Sequence, residues 1–141
     1  MKEFEYFIIK GNVKKQKPDI NLAKATARES LDRLEFAKAL FLTQKPKYTL
    51  ENSYEAIREL IDAILYLDGY KSYSHEASIA YLFKIGFSIS DINSVDKLRK
   101  QRNGIKYYGE SISKEGAEEA LKMAGKIIGA LLNKKPFFGI K

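Results

Sequence analysis

Cysteine is absent from this 141-residue chain and histidine occurs once. The first absence excludes a disulfide framework, a thiolate nucleophile and a sulfur-ligated metal. With one histidine, a transition-metal site would have to be built mostly from carboxylates, and no spacing here suggests one. No metal or cofactor is therefore expected. Proline is limited to three residues while Leu, Ile, Ala, Lys and Glu recur, which favours helices over a sheet. No apolar run exceeds Ile127 to Leu132, far short of a membrane span, and the start Met1-Lys-Glu-Phe-Glu5 lacks the basic-then-apolar order of a signal peptide. The expectation is a cytoplasmic protein with no membrane partner.

Positive charge is what the chain has in excess. Its net charge of +7 and pI near 9.4 imply attraction to polyanions, nucleic acid first, although such an excess also occurs on plain soluble proteins. A length of 141 residues with 45% hydrophobic content suits one domain with its own core.

Residues 1–17 read as an aromatic head (Phe4, Tyr6, Phe7, Ile8, Ile9) followed by a basic linker, residues 18–134 as a helical bundle, and residues 135–141 as a tail resembling a docked or partner-seeking strip. The head fits a helix (Phe4, Phe7, Ile8) or a strand (Phe4, Tyr6, Ile8) equally well. Pro18-Asp19 starts a helix running to about Leu42, with Leu31, Leu34, Ala37 and Phe41 inward. Thr49 is the candidate N-cap of a second helix, whose Ile57, Leu60, Ile61, Ile64 and Leu67 make a wide apolar face before Gly69. A third helix spans about Ser74 to Ile85 with Ile79, Leu82 and Phe83 inward, and Gly86 closes it. Ser88 and Asp91 have the spacing of a capping box for a fourth. A last helix, about Lys114 to Asn133, presents Leu121, Ala124, Ile128 and Leu131. Short loops between amphipathic helices imply an all-α, up-and-down antiparallel bundle of four to five helices.

The most informative segment lies on the fourth helix. Val95, Leu98, Arg102 and Ile105 fall on one stripe at the helical period, which places an arginine among apolar positions. A guanidinium keeps its proton, so there it must meet an acid, carbonyls, water in a cleft or an anionic ligand. From Lys97 to Lys106 the chain carries five basic side chains and no acidic one, an electropositive edge.

Arg102-Asn103, followed by Tyr107 and Tyr108, resembles the signature of HEPN (higher eukaryotes and prokaryotes nucleotide-binding) domains, in which an Arg and a polar residue precede a His by a few positions. Tyr70-Lys-Ser-Tyr-Ser-His-Glu-Ala77 and the run Leu98 to Gly109 are similar to archaeal members, and the helical layout agrees over about residues 20–134. Tyr107 stands where the histidine is expected. The resemblance implies an RNA- or nucleotide-binding protein, a degenerate metal-independent ribonuclease of a toxin–antitoxin or defence system, with an antitoxin partner. The alternative it implies is a non-catalytic, substrate-binding or interaction subunit of a small nucleotidyltransferase. The binding residues so implied are Lys97, Arg99, Lys100, Arg102, Asn103, Lys106, Tyr107 and Tyr108, with Arg102 and Tyr107 as the catalytic pair.

Chemistry sets those roles against duller ones. Cleavage without a metal needs a base for the 2′-hydroxyl proton and positive charge on the phosphate. Arg102 suits the second task. Tyrosine, ionising near 10 where histidine ionises near 6.5, is on the order of 4 kcal/mol worse placed to take a proton at neutral pH, though it can stack on a base or donate a hydrogen bond. Arg102 and Tyr107 lie about 140° apart on an ideal helix, so they border one cleft only if it is broad, kinked at Gly104 or completed by another subunit. A homodimer would solve that geometry. The structural alternative is that Arg102 pairs with a buried Glu55, Glu59 or Asp62 of the second helix. His75, at a helix start, reads as a capping or packing residue rather than a surrogate base. Tyr66, Tyr70, Tyr73, Tyr81, Tyr107 and Tyr108 are candidate stacking platforms, with Tyr66 and Tyr81 better suited to a half-buried core.

Overall fold

In the computed structural model residues 1–135 are described, and they form an all-α bundle with one small sheet. The elements in chain order are α1 (Phe4–Ile9), β1 (Val13–Lys15), α2 (Ile20–Leu42), α3 (Pro46–Asp68), β2 (Tyr70–Ser72), α4 (His75–Ile85), α5 (Ile89–Tyr108) and α6 (Lys114–Lys134). The strip expected beyond the last helix lies, from Pro136 on, outside the described residues.

From α2 onward, local chemistry sets where the helices start. Asp19, Ser74, Ser88 and Ser113 accept the orphan backbone N–H of Leu22, Ala77, Asp91 and Gly116. The expected cap at Thr49 is displaced. Pro46 takes the first position of α3, where its missing N–H costs nothing, and Thr49 lies inside the helix with its hydroxyl donating to the Lys45 carbonyl at 2.8 Å. At Ser88 only half of a capping box forms, because Asp91 turns its carboxylate to Lys126.

The path of α2 along α3 is written in three contacts. Asp19, Ser30 and Arg33 bond Tyr66, Ala56 and Asn52 in turn, so the two helices run antiparallel. α3 is the hub, packed against α2, α4, α5 and α6. Its Leu50, Ile57, Leu60, Ile61, Ile64 and Leu65 are fully buried, in one cluster with Ala23 and Ala27 of α2 and Ala124, Ile127, Ile128 and Leu131 of α6. Phe83, expected inward, is 62% exposed. The core takes Ala77 to Leu82, and Phe4 of α1 packs on Tyr81 at 4.6 Å between ring centroids rather than on Phe83.

The head is a helix, and it is not separate from the bundle. Phe4, Phe7 and Val13 belong to the main core. The basic linker contains β1, which pairs antiparallel with β2 in the register Val13↔Ser72, Lys14↔Lys71, Lys15↔Tyr70. Gly69 makes this possible twice over. It ends α3 in the left-handed conformation (φ 90°), and a Cβ there would come within 2.9 Å of the Gln16 carbonyl oxygen.

Candidate functional site

A polar stripe runs along α3 beside its apolar one. Glu55, Arg58 and Asp62 stand at i, i+3 and i+7, and Arg58 bridges them, donating to Glu55 Oε2 at 2.8 Å and to Asp62 Oδ2 at 2.6 Å. α4 joins through Ser78, whose hydroxyl donates to Asp62 Oδ1 at 2.7 Å. α5 joins through Arg102, whose Nη2 lies 3.3 Å from Glu55 Oε1. One ion-pair network thus ties three helices together.

Burial and partners compete on each acid. For Asp62 burial prevails over Arg58 and Ser78, and its pKa is pushed up to about 6. Burial also works to raise Glu55, but the hydrogen bond and charge of Arg58, with the charge of Arg102, outweigh it and its pKa falls below the usual carboxylate value. His75 is held below the ordinary histidine value by burial first, then by the charges of Arg58, Arg102 and Arg99, against the opposite pull of Glu55.

Nδ1 of His75 is hydrogen-bonded to the Tyr54 hydroxyl at 3.1 Å, and Tyr54 is fully buried with its pKa raised by burial. That hydroxyl makes no other hydrogen bond among the described residues.

The residues singled out on α5 separate by exposure. Arg102 is only 7% exposed and forms an ion pair with Glu55, the structural alternative read from the stripe, while its Nη1 donates to Asn103 Oδ1, also at 3.3 Å. Its Nε is buried and finds no acceptor. Arg99 pairs with Asp96 and, at 3.7 Å, with Glu76 of α4, and Lys100 also reaches Asp96. An aspartate one turn upstream therefore neutralises part of the basic edge. Lys97 and Lys106 are exposed and meet no carboxylate among the described residues. Tyr107 and Tyr108 are 63% and 79% exposed.

Arg102 and Tyr107 do meet within a single chain. The guanidinium carbon lies 5.8 Å from the centroid of the Tyr107 ring, and Lys106 Nζ lies at the same distance. The long arginine side chain spans the angle that the helix puts between the two Cα atoms, so this contact needs neither a broken helix nor a second subunit. α5 continues unbroken past Gly104, which is buried against the Glu110 carboxylate.

Arg58, Tyr54 and Ser78 were not among the residues singled out from the sequence. Arg58 carried a readable signal, an arginine spaced three and four residues from two acids beside an apolar helix face. Tyr54 and Ser78 carried none, since only the approach of α4 makes them partners. Tyr81 is 7% exposed and donates its hydroxyl to Asp68 at 2.6 Å, and Tyr70 stacks edge-on against Phe4, so neither offers a free face. Among the described residues no three His, Asp or Glu side chains converge as a metal site, and no helix is long and apolar enough to cross a membrane. No family model matches the chain, and no curated protein matches it either.

Proposed function

We propose that the chain is a HEPN-like RNA- or nucleotide-binding protein that meets its ligand on the outer face of α5 and performs no cleavage there. The supporting observation is the exposed Tyr107 ring with Lys106 and Arg102 both 5.8 Å from its centroid. A ring on which a base can stack thus stands next to an ammonium free to bond a phosphate. Lys97 extends the cationic edge by more than two turns, and Asn103 and Tyr108 add polar and aromatic contacts. Arg102 acts from beneath, holding Tyr107 in place while its own charge is engaged by Glu55. The Arg102–Tyr107 pair lacks a good base for the 2′-hydroxyl, because a tyrosine is a poor proton acceptor at neutral pH. The test is fluorescence anisotropy with a labelled RNA oligonucleotide, alongside a metal-free cleavage assay. Lys97→Gln/Lys106→Gln should weaken binding and lower the log–log salt slope by roughly 0.7 for each phosphate no longer neutralised. Absence of binding at about 50 mM salt would overturn the reading, and cleavage by the wild type would overturn its non-catalytic part.

A second surface favours the interaction-subunit reading. Met1, Phe4, Phe83, Ile89 and Ile92 line a groove of about 570 Å³ between the head, α4 and α5, and Phe83 and Ile89 are 62% and 64% exposed. Exposed apolar side chains grouped in this way mark a protein contact, whether a nucleotidyltransferase, an antitoxin or a second copy of this chain. Light scattering, alone and with Phe83→Ser, tests the last of these. A strict monomer across micromolar concentrations excludes the homodimer.

A further inference from the structure

Seven cation–ring contacts occur among the described residues, and six of them fall on three tyrosines that are each at least one-third exposed: Tyr6, Tyr73 and Tyr107. Each of these rings is bracketed by two cations. Tyr107 belongs to the α5 face described above. Tyr73 does not. It follows β2 directly, is 58% exposed, and has Lys14 of β1 and Lys71 of β2 at 5.8 Å and 5.6 Å from its centroid.

The placing of those two lysines is costly unless an anion joins them. Lys14 and Lys71 are direct cross-strand partners in the two-stranded sheet, an arrangement in which like charges destabilise the pairing. No carboxylate relieves them among the described residues, and Lys15 next along β1 is also without an acidic partner. The sheet is nevertheless anchored from below, through Val13 in the core and the Tyr73 N–H donating to the Asn12 carbonyl at 2.8 Å. A rigid backbone thus presents a tyrosine face and two uncompensated ammonium groups side by side.

We propose that Tyr73, Lys14 and Lys71 form a second contact site for single-stranded RNA, in which a base stacks on the Tyr73 ring and the two lysines take its flanking phosphates. Stacking of a base on an exposed aromatic ring is worth more than a solvent-exposed cation–ring contact. The incoming base therefore takes the ring, and the flexible lysine stems swing their ammonium groups to phosphate oxygens. The site selects single strands because a duplex hides the base faces that Tyr73 would stack on. The proposal rests on the RNA-binding reading of α5 and extends it to a separate surface.

The test is anisotropy with a fluorophore-labelled uridine oligonucleotide of about 12 nucleotides, within the usual site size for such binding, and with the same strand in a duplex. Tyr73→Leu should weaken single-strand binding roughly tenfold while Tyr73→Phe stays within about twofold, since stacking needs the ring and not the hydroxyl. Lys14→Gln/Lys71→Gln should weaken binding and lower the salt slope. Circular dichroism verifies that each variant is folded, and Tyr73→Phe serves as the folded control for the ring position. Wild-type binding that disappears in Lys97→Gln/Lys106→Gln but is unchanged in Tyr73→Leu and in Lys14→Gln/Lys71→Gln would overturn this site and leave the α5 reading standing. Equal affinity for duplex and single strand would overturn the stacking. A wild type that binds no RNA would overturn both.

Discussion

The two stripes of α3 are held by different physics. One carries Leu50, Ile57, Leu60, Ile61, Ile64 and Leu65, all fully buried, and its attraction to the α2 and α6 cluster has no direction. Any well-filled arrangement of such side chains is favourable. The other carries Glu55, Arg58 and Asp62, whose hydrogen bonds with one another and with Ser78 hold only at particular distances and angles, with Arg102 joined to it as an ion pair. Such ion pairs return little net stability after desolvation, yet removing one partner is expensive. The apolar stripe therefore sets how stable the bundle is, and the polar stripe sets how α4 and α5 must be turned to close it.

That contrast is sharpest at Ile61. Ile61→Ala should cost about 2–5 kcal/mol by chemical denaturation, as forfeited transfer energy plus a cavity. A cost of only a few tenths would mean that the apolar stripe is not the main source of stability.

On the polar side, Arg102→Ala should cost about 2 kcal/mol, less than the 3–5 kcal/mol of a fully orphaned buried charge, because Glu55 keeps Arg58 at 2.8 Å. A double-mutant cycle with Glu55→Gln should recover a large part of that loss. An Arg102→Ala cost within about 0.5 kcal/mol, the range of ordinary surface substitutions, would break the comparison.

The remaining effect is in pH dependence, and it has a definite sign. Asp62 has a folded pKa of about 6 against an ordinary value of 3.8, so its contribution is complete below the ordinary value and is lost as pH rises through about 6. Asp62→Asn should therefore gain in melting temperature relative to wild type between about pH 4 and pH 7.5. His75 works in the opposite sense. Its folded pKa is depressed, so its contribution is present above the ordinary histidine value and is lost as pH falls. Combining Asp62→Asn with His75→Gln separates the two. A difference between Asp62→Asn and wild type that does not change with pH would show that Asp62 is not the group burial makes it.

Periodicity made the fold class readable, because helical spacing of Leu, Ile and Ala and the glycines after α3 and α4 report local preferences that packing left in place. The head was ambiguous because six residues fit both periods, and only the shelter of Phe4 and Phe7 in the core decides for a helix. Strand β1 was hidden inside a basic linker. Its partner lies 57 residues away, from Lys14 to Lys71, and a three-residue strand has no periodicity of its own.

For the site, one sequence determined that an arginine would stand in an apolar stripe and that an acid of the second helix could answer it. Which acid, and at what exposure, was decided by tertiary structure. Glu55, Arg58 and Asp62 share one stripe wherever α3 lies, but their partners Ser78 and Arg102 come from helices whose rotation depends on the whole core. The same holds for charge. The run from Lys97 to Lys106 is basic in any conformation, whereas pairing with Asp96, Glu76 and Glu55 leaves free charge mainly at Lys97 and Lys106. Local order follows from neighbours along the chain, while burial and ion pairing depend on neighbours in space, and those exist only once the bundle has closed.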